Sequence, residues 1–177
     1  MGERITGRMI STPLFPLIDD PGQWDDLTLT AGTILLEAEG ESPEGQHAVG
    51  TVIRWRSECW KLTIRQVILG LEGQAYDDGK SFEAFSAWND SYRPMAQARL
   101  SAASPTSREA AWKAAAIALW RLLPDPAPGA LFYLNAEATL RIRGGTFPAW
   151  AADPSNRAKL NAAKIIAVIN RHTFMAG

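Results

Sequence analysis

Residues 35–50 read LLEAEGESPEGQHAVG, a passage that ends one apolar run, breaks, and starts another. Upstream, Leu27, Ala31, Ile34, Leu35 and Ala38 recur at the spacing of one helix face, with Asp25 or Asp26 placed to cap the start and Gly40 to stop it. Downstream, Ser42 is a good N-cap, Pro43 suits the first helical position and Glu44 complements the positive end of the helix dipole. That spacing predicts a second helix through His47, Val49, Val52 and Ile53 to about Arg56. Glu37 therefore rides at the negative end of an apolar helix, with Glu39, Glu41 and Glu44 close behind it. Apolar neighbours, like charges and the helix terminus all push its pKa up, as a general acid working near neutral pH requires. The plainer alternative is a solvated acidic helix end with four surface glutamates.

Outward from this passage, the four prolines and glycines among Pro13, Pro16, Pro21 and Gly22 predict an extended arm over residues 1–24, ahead of a single domain over 25–177. Residues 63–69 predict a short helix capped by Thr63. FEAFSAWN (82–89) has the aromatic content of a short strand or extended turn. The alanine-rich stretch 107–123 predicts a helix capped by Thr106 or Ser107 and stopped by PDPAPG. GALFYLN (129–135) reads as a strand, and 164–175 as a hairpin turning at Asn170-Arg171, although the Ala and Lys just upstream would also allow a helix. The fold class expected is α+β, helices first and a small antiparallel sheet after them.

Composition narrows the function. A chain of 177 residues with net charge −1 and pI near 6.1 carries no basic field for nucleic acid or anionic lipid. Its two histidines and the lack of an HExxH pattern argue against a metal site, and no cofactor is expected. No GxSxG elbow is present, and Cys59 beside Trp60 reads as a small, half-buried apolar residue. The first residues lack a secretory signal core and no stretch approaches a membrane span, so synthesis in the cytoplasm without membrane insertion is expected. Seven tryptophans are many, and Trp88, Trp150 and Tyr133 lie among turn residues and amides, where rings can face the apolar side of a sugar. Core packing is the alternative for each.

The passage from Glu37 to Glu41, followed by Pro43-Glu44-Gly45-Gln46-His47-Ala48-Val49, resembles the GEARGE-x-x-x-GQ-x-AV signature of the SleB-type cell-wall hydrolases, the family of spore cortex-lytic enzymes. Further echoes follow in the family's order: Phe85 to Asn89 for F-S-x-W-N, Gly129 to Asn135 for G-A-x-x-[FY]-x-N, Pro148-Ala149-Trp150 for P-x-W, and Ile169 to Phe174 for I-G-x-H-x-F. The likeness spans roughly residues 27–175. Leu36, Glu39 and Asn170 depart from it, standing where the family has Gly, a basic residue and Gly.

The resemblance implies a lysozyme-like fold with the catalytic glutamate at the end of the first helix, which is Glu37 by position. It implies cleavage of peptidoglycan glycan strands between N-acetylmuramic acid and N-acetylglucosamine, by lytic transglycosylation. A compact wall enzyme without a leader looks like a bacteriophage endolysin released by a holin, acting as a monomer. Gln46, Ser86, Asn89, Tyr133 and Asn135 are candidates for hydrogen bonds to substrate, with Trp88 and Trp150 as ring platforms. Glu41 either tunes the acid or serves as the second carboxyl of a hydrolytic muramidase, and His172 either braces the cleft across the sheet or is a core histidine. A glycan-binding virion component without catalysis and a wall amidase are the rival classes.

Overall fold

Asp25 decides where the first helix begins: its carboxylate accepts the Thr28 N–H at 2.7 Å and the Thr28 hydroxyl at 3.0 Å. In the computed structural model, which describes residues 14–16, 20–70, 85–88, 93–135 and 165–176, helix α1 runs Asp26–Ala38. Leu29, Ala31, Ile34 and Leu35 are wholly buried, so α1 is the axis of the core rather than a surface helix. Helix α2 (Pro43–Trp60) starts on the expected Ser42 cap but runs four residues past Arg56, until Lys61 closes it in the left-handed conformation at φ 57°. Cys59 lies on that added turn and is exposed, not half-buried as expected. Helix α3 (Ile64–Leu69) carries a capping box between Thr63 and Gln66.

Helix α4 (Arg93–Ala102) is absent from the sequence-based expectation, for a physical reason: only Ala96 and Leu100 are buried on it, too thin a stripe to register as periodicity. Helix α5 (Pro105–Trp120) is capped by Ser104, two or three residues earlier than expected, and ends at Arg121 with φ 53°. It packs along both α1 and α2. Two other expectations change. Part of the predicted arm is a 3₁₀ turn, Pro21–Gln23, held by Asp20, and Phe15 stacks between Trp24 and Trp112 with ring centroids 6.3 and 5.6 Å away. The short strand or extended turn expected over 82–89 is a 3₁₀ turn at Ser86–Trp88 where it is described.

The strands β1 (Ala130–Asn135), β2 (Ile165–Ile169) and β3 (His172–Ala176) form an antiparallel sheet in the order β1-β3-β2. The hairpin turns at Asn170-Arg171 as expected, with Asn170 at φ 50°. The architecture is α+β, five helices and a three-stranded sheet among the described residues. A buried arginine sets the entry to the sheet: Arg54 of α2 bonds Glu58 at 2.9 Å and Asp125 of the α5–β1 connection, and Asp125 also accepts from Trp55 Nε1 at 3.1 Å. Arg121 closes the network on Glu58 at 2.7 Å. β1 therefore leaves α5 along a path fixed to α2, and it lies against that helix.

Helix α2 passes close to α5 and α1 at Gly50, where a Cβ would come within 2.8 Å of Ala118 Cβ and 3.1 Å of Ile34 Cδ1. Gly50→Val must push α5 or α1 away. It should cost about 1–3 kcal/mol from overpacking, read as a lower urea midpoint with an unchanged slope.

Candidate active site

Glu37 occupies the last turn of α1, partly exposed itself but with protein packed densely around its carboxyl. Tyr133 reaches it from β1, donating its phenolic O–H to Glu37 Oε2 at 3.3 Å. Burial raises the Glu37 pKa above the usual carboxylate range, while the Tyr133 hydrogen bond, the guanidiniums of Arg99 and Arg56 and the Ala87 backbone pull it back down. The sequence-based reasons thus need correcting. Desolvation raises the pKa as expected, but the charged side chains acting on the carboxyl are arginines that oppose the shift. Of the three neighbouring glutamates, Glu39 lies 3.8 Å from Arg99 and Glu44 is exposed in the first turn of α2. Burial, and then the nearby Glu37 charge, push Tyr133 well above a free phenol, so it stays a neutral donor.

Beside this pair lies a second polar layer. The Glu41 side chain is only 6% exposed, its Oε1 is 3.4 Å from His172 Nδ1, and its Oε2 is buried without a protein partner. It packs against the start of α2, where a Cβ on Gly45 would come within 3.1 Å of Glu41 Cβ. The His172 ring meets Tyr133 edge-on with centroids 5.3 Å apart. Burial pulls His172 below an ordinary imidazole and Glu41 acts in the opposite sense. Gln46 donates at 3.2 Å to the Ala38 carbonyl at the end of α1, which also accepts the Glu41 N–H at 3.0 Å, and its buried Oε1 has no protein partner. Glu41, His172, Tyr133 and Glu37 therefore form one continuous run of side chains, with Gln46 at its edge. Asn135 stands opposite His172 in the β1–β3 register.

Other candidates fall elsewhere. Trp88, expected as a sugar platform, is 4% exposed: its Nε1 donates to Thr33 Oγ1 at 2.9 Å and its ring meets Trp24 edge-on at 5.6 Å. It is a core residue behind α1, because the one polar atom of the indole finds its acceptor inside. Ser86 opens the 3₁₀ turn that carries Ala87 to Glu37. Asn89 and Trp150 lie outside the described residues. Sequence reasoning passed over Arg56 and Arg99. Arg56 follows Val49, Val52 and Ile53 at helical spacing, an arginine on an apolar face, and that anomaly was the available signal.

Chemically, a carboxyl whose pKa burial raises keeps its proton to a higher pH and can give it up as an acid, and its flanking donor and cations can then stabilise the anion that remains. A family model described as Cell Wall Hydrolase matches residues 40–175, more than half of the chain, in a segment that begins just after Glu37 and takes in Glu41, Gln46, Tyr133 and His172. No curated protein and no solved structure matches.

Two outcomes follow from this geometry. Trp88→Ala should cost about 3–5 kcal/mol in chemical denaturation, as loss of a buried indole does. The raised Glu37 pKa means that the folded chain binds more protons than the unfolded one between the ordinary value of 4.5 and the raised value. That contribution is fully present below 4.5 and is lost as pH rises. Glu37→Gln, which cannot ionise, should therefore gain stability relative to wild type as pH climbs from about 4 to about 8; a constant gap would mean that Glu37 titrates as a free carboxyl.

Proposed function

We propose, from the premise that this chain belongs to the cell wall hydrolase family and so acts on peptidoglycan, that it cuts the glycan strand between N-acetylmuramic acid and N-acetylglucosamine by lytic transglycosylation, with Glu37 as its general acid and base. The observation that carries the reading is the bonding of one carboxyl: with protein packed densely around it, the Glu37 carboxyl takes its hydrogen bond from a neutral phenol, not from a second carboxyl group. In the first step Glu37 gives its proton to the bridging oxygen as the bond to muramoyl C1 breaks. The resulting carboxylate then takes the proton of the muramoyl C6 hydroxyl, whose oxygen closes on C1. One carboxyl serves both steps, water is not consumed, and the product ends in a 1,6-anhydro ring. Tyr133 holds the carboxyl in place throughout, while Arg56 and Arg99 favour its anionic form between the steps.

A hydrolytic muramidase is the second reading, and one observation favours it: Oε2 of Glu41 is buried without a protein partner. Hydrolytic glycosidases pair carboxyls about 5–5.5 Å apart for retention or 6.5–9.5 Å for inversion. Against that role, Glu41 already faces His172 through its other oxygen. In biological terms the proposal is a bacteriophage endolysin, made in the cytoplasm and brought to the wall by holin-type release.

Mass spectrometry of the fragments released from purified peptidoglycan tests the mechanism. Anhydro-muramoyl ends, lighter by one water than hydrolytic ends and inert to borohydride, are expected, and Glu37→Gln should lose at least about 10²-fold in rate. Reducing muramic acid ends, with Glu41→Gln as damaging as Glu37→Gln, would instead establish the muramidase. Release of nothing at all would leave a glycan-binding protein.

A further inference from the structure

Arg56 sits on the apolar face of α2 and is 9% exposed. A buried guanidinium persists only where several partners hold it. Its Nε donates to the Leu131 carbonyl at 2.7 Å, two residues ahead of Tyr133 in β1. Its charged carbon lies 5.2 Å from the centre of the Phe85 ring, 5.4 Å from Trp60 and 5.6 Å from Phe132. Phe85 in turn packs on Tyr133, with centroids 6.3 Å apart, and its carbonyl accepts the Trp88 N–H that closes the 3₁₀ turn. One side chain thus ties α2 to the two pieces that bring the Tyr133 phenol and the Ala87 backbone to Glu37.

We propose that Arg56 is a positioning residue for the reaction: its guanidinium fixes Tyr133 against Glu37 and supplies a permanent buried positive charge that keeps the carboxylate stable enough to act as base in the second step. The role in catalysis rests on the one-carboxyl reading above. The interaction runs both ways, since the Glu37 carboxylate in turn favours the charged form of Arg56 against its burial. Arg99 acts on Glu37 more strongly than Arg56 does, but its side chain is 42% exposed and tied loosely to Glu39, so added salt screens it. A buried charge keeps its influence under those conditions. The groups facing Glu37 are then Tyr133 from β1, the Ala87 backbone from the 3₁₀ turn, Arg99 from α4 and Arg56 from α2. Tyr133 also meets the His172 ring, on which Glu41 and Arg171 act in turn.

The test is a direct titration of the Glu37 carboxyl by carbon-13 NMR in the full chain at about 0.5 M salt, where the exposed Arg99 is screened. Wild type, Arg56→Lys and Arg56→Met are compared, with near-UV circular dichroism to establish folding and kcat and KM on soluble glycan strands measured beside it. Arg56→Met should raise the Glu37 midpoint and lower kcat by roughly 10²-fold with KM little changed, the scale of a small misplacement of reacting groups. Arg56→Lys keeps the charge and loses the planar fork, so its midpoint should stay near wild type while kcat falls. An unchanged midpoint in folded Arg56→Met overturns the proposal. Should that variant not fold, a raised midpoint or a wild-type rate in Arg56→Lys overturns it. Because the titration needs no substrate, a chain inert on peptidoglycan would overturn the reading of function while the NMR still decides whether Arg56 acts on Glu37.

Discussion

A carboxyl withdrawn from water has to be held by something, and here the holder is a phenol 96 positions along the chain. The Glu37–Tyr133 contact is the constraint on which the rest of the structure depends, because it obliges the end of α1 and the middle of β1 to meet within hydrogen-bond distance. α1 is fixed by its wholly buried face between α2 and α5. β1 is fixed by its path out of α5, pinned through Arg54 and Asp125, and by its seat against α2. The helices form a frame that sets the distance between one acid and one hydroxyl. A neutral donor suits the task, since it orders the carboxyl without neutralising it as a close ion pair would.

Much of this was legible in the sequence, wherever the signal was local. Ser42-Pro43, Thr63, and Asn170 at the hairpin turn carry their own stereochemistry, and each stands at its boundary in the structure. The placement of Glu37 after an apolar run was likewise readable, because burial of the run forces the acid to its edge. The illegible parts share a cause: they depend on contacts distant in sequence. Whether Trp88 faced sugar or core hinged on Thr33, 55 residues away. Arg56 draws its meaning from Leu131, Phe85 and Phe132, none of them near it in the chain. Helix α4 buries too little to announce itself, so Arg99 was lost with it.

The four glutamates that raised the question in the sequence prove to be four separate environments. Glu37 is desolvated against a phenol, Glu39 lies near an arginine at the surface, Glu41 is buried against an imidazole, and Glu44 complements a helix start. Their closeness along the chain is a consequence of the tight connection between α1 and α2, which turns successive side chains toward different parts of the molecule. The connection itself is held by Gln46 reaching back to the Ala38 carbonyl. A dense acidic motif can therefore carry one reactive carboxyl without the mutual repulsion that its spelling suggests.

The strand order β1-β3-β2 bears on when the site comes into being. β3, the last of the three in sequence, lies between the other two, so neither β1 nor β2 has a described strand partner until β3 arrives. During synthesis the helices can emerge and condense first, as local contacts favour. The phenol-bearing strand then waits, unpaired on the side that β3 will occupy, until residues 172–176 have cleared the ribosome. His172 arrives in the same step, bringing the edge contact to Tyr133 and the partner of Glu41. A nascent chain would thus carry Glu37 early and join Glu37, Tyr133, His172 and Glu41 into one run only after β3 has been made.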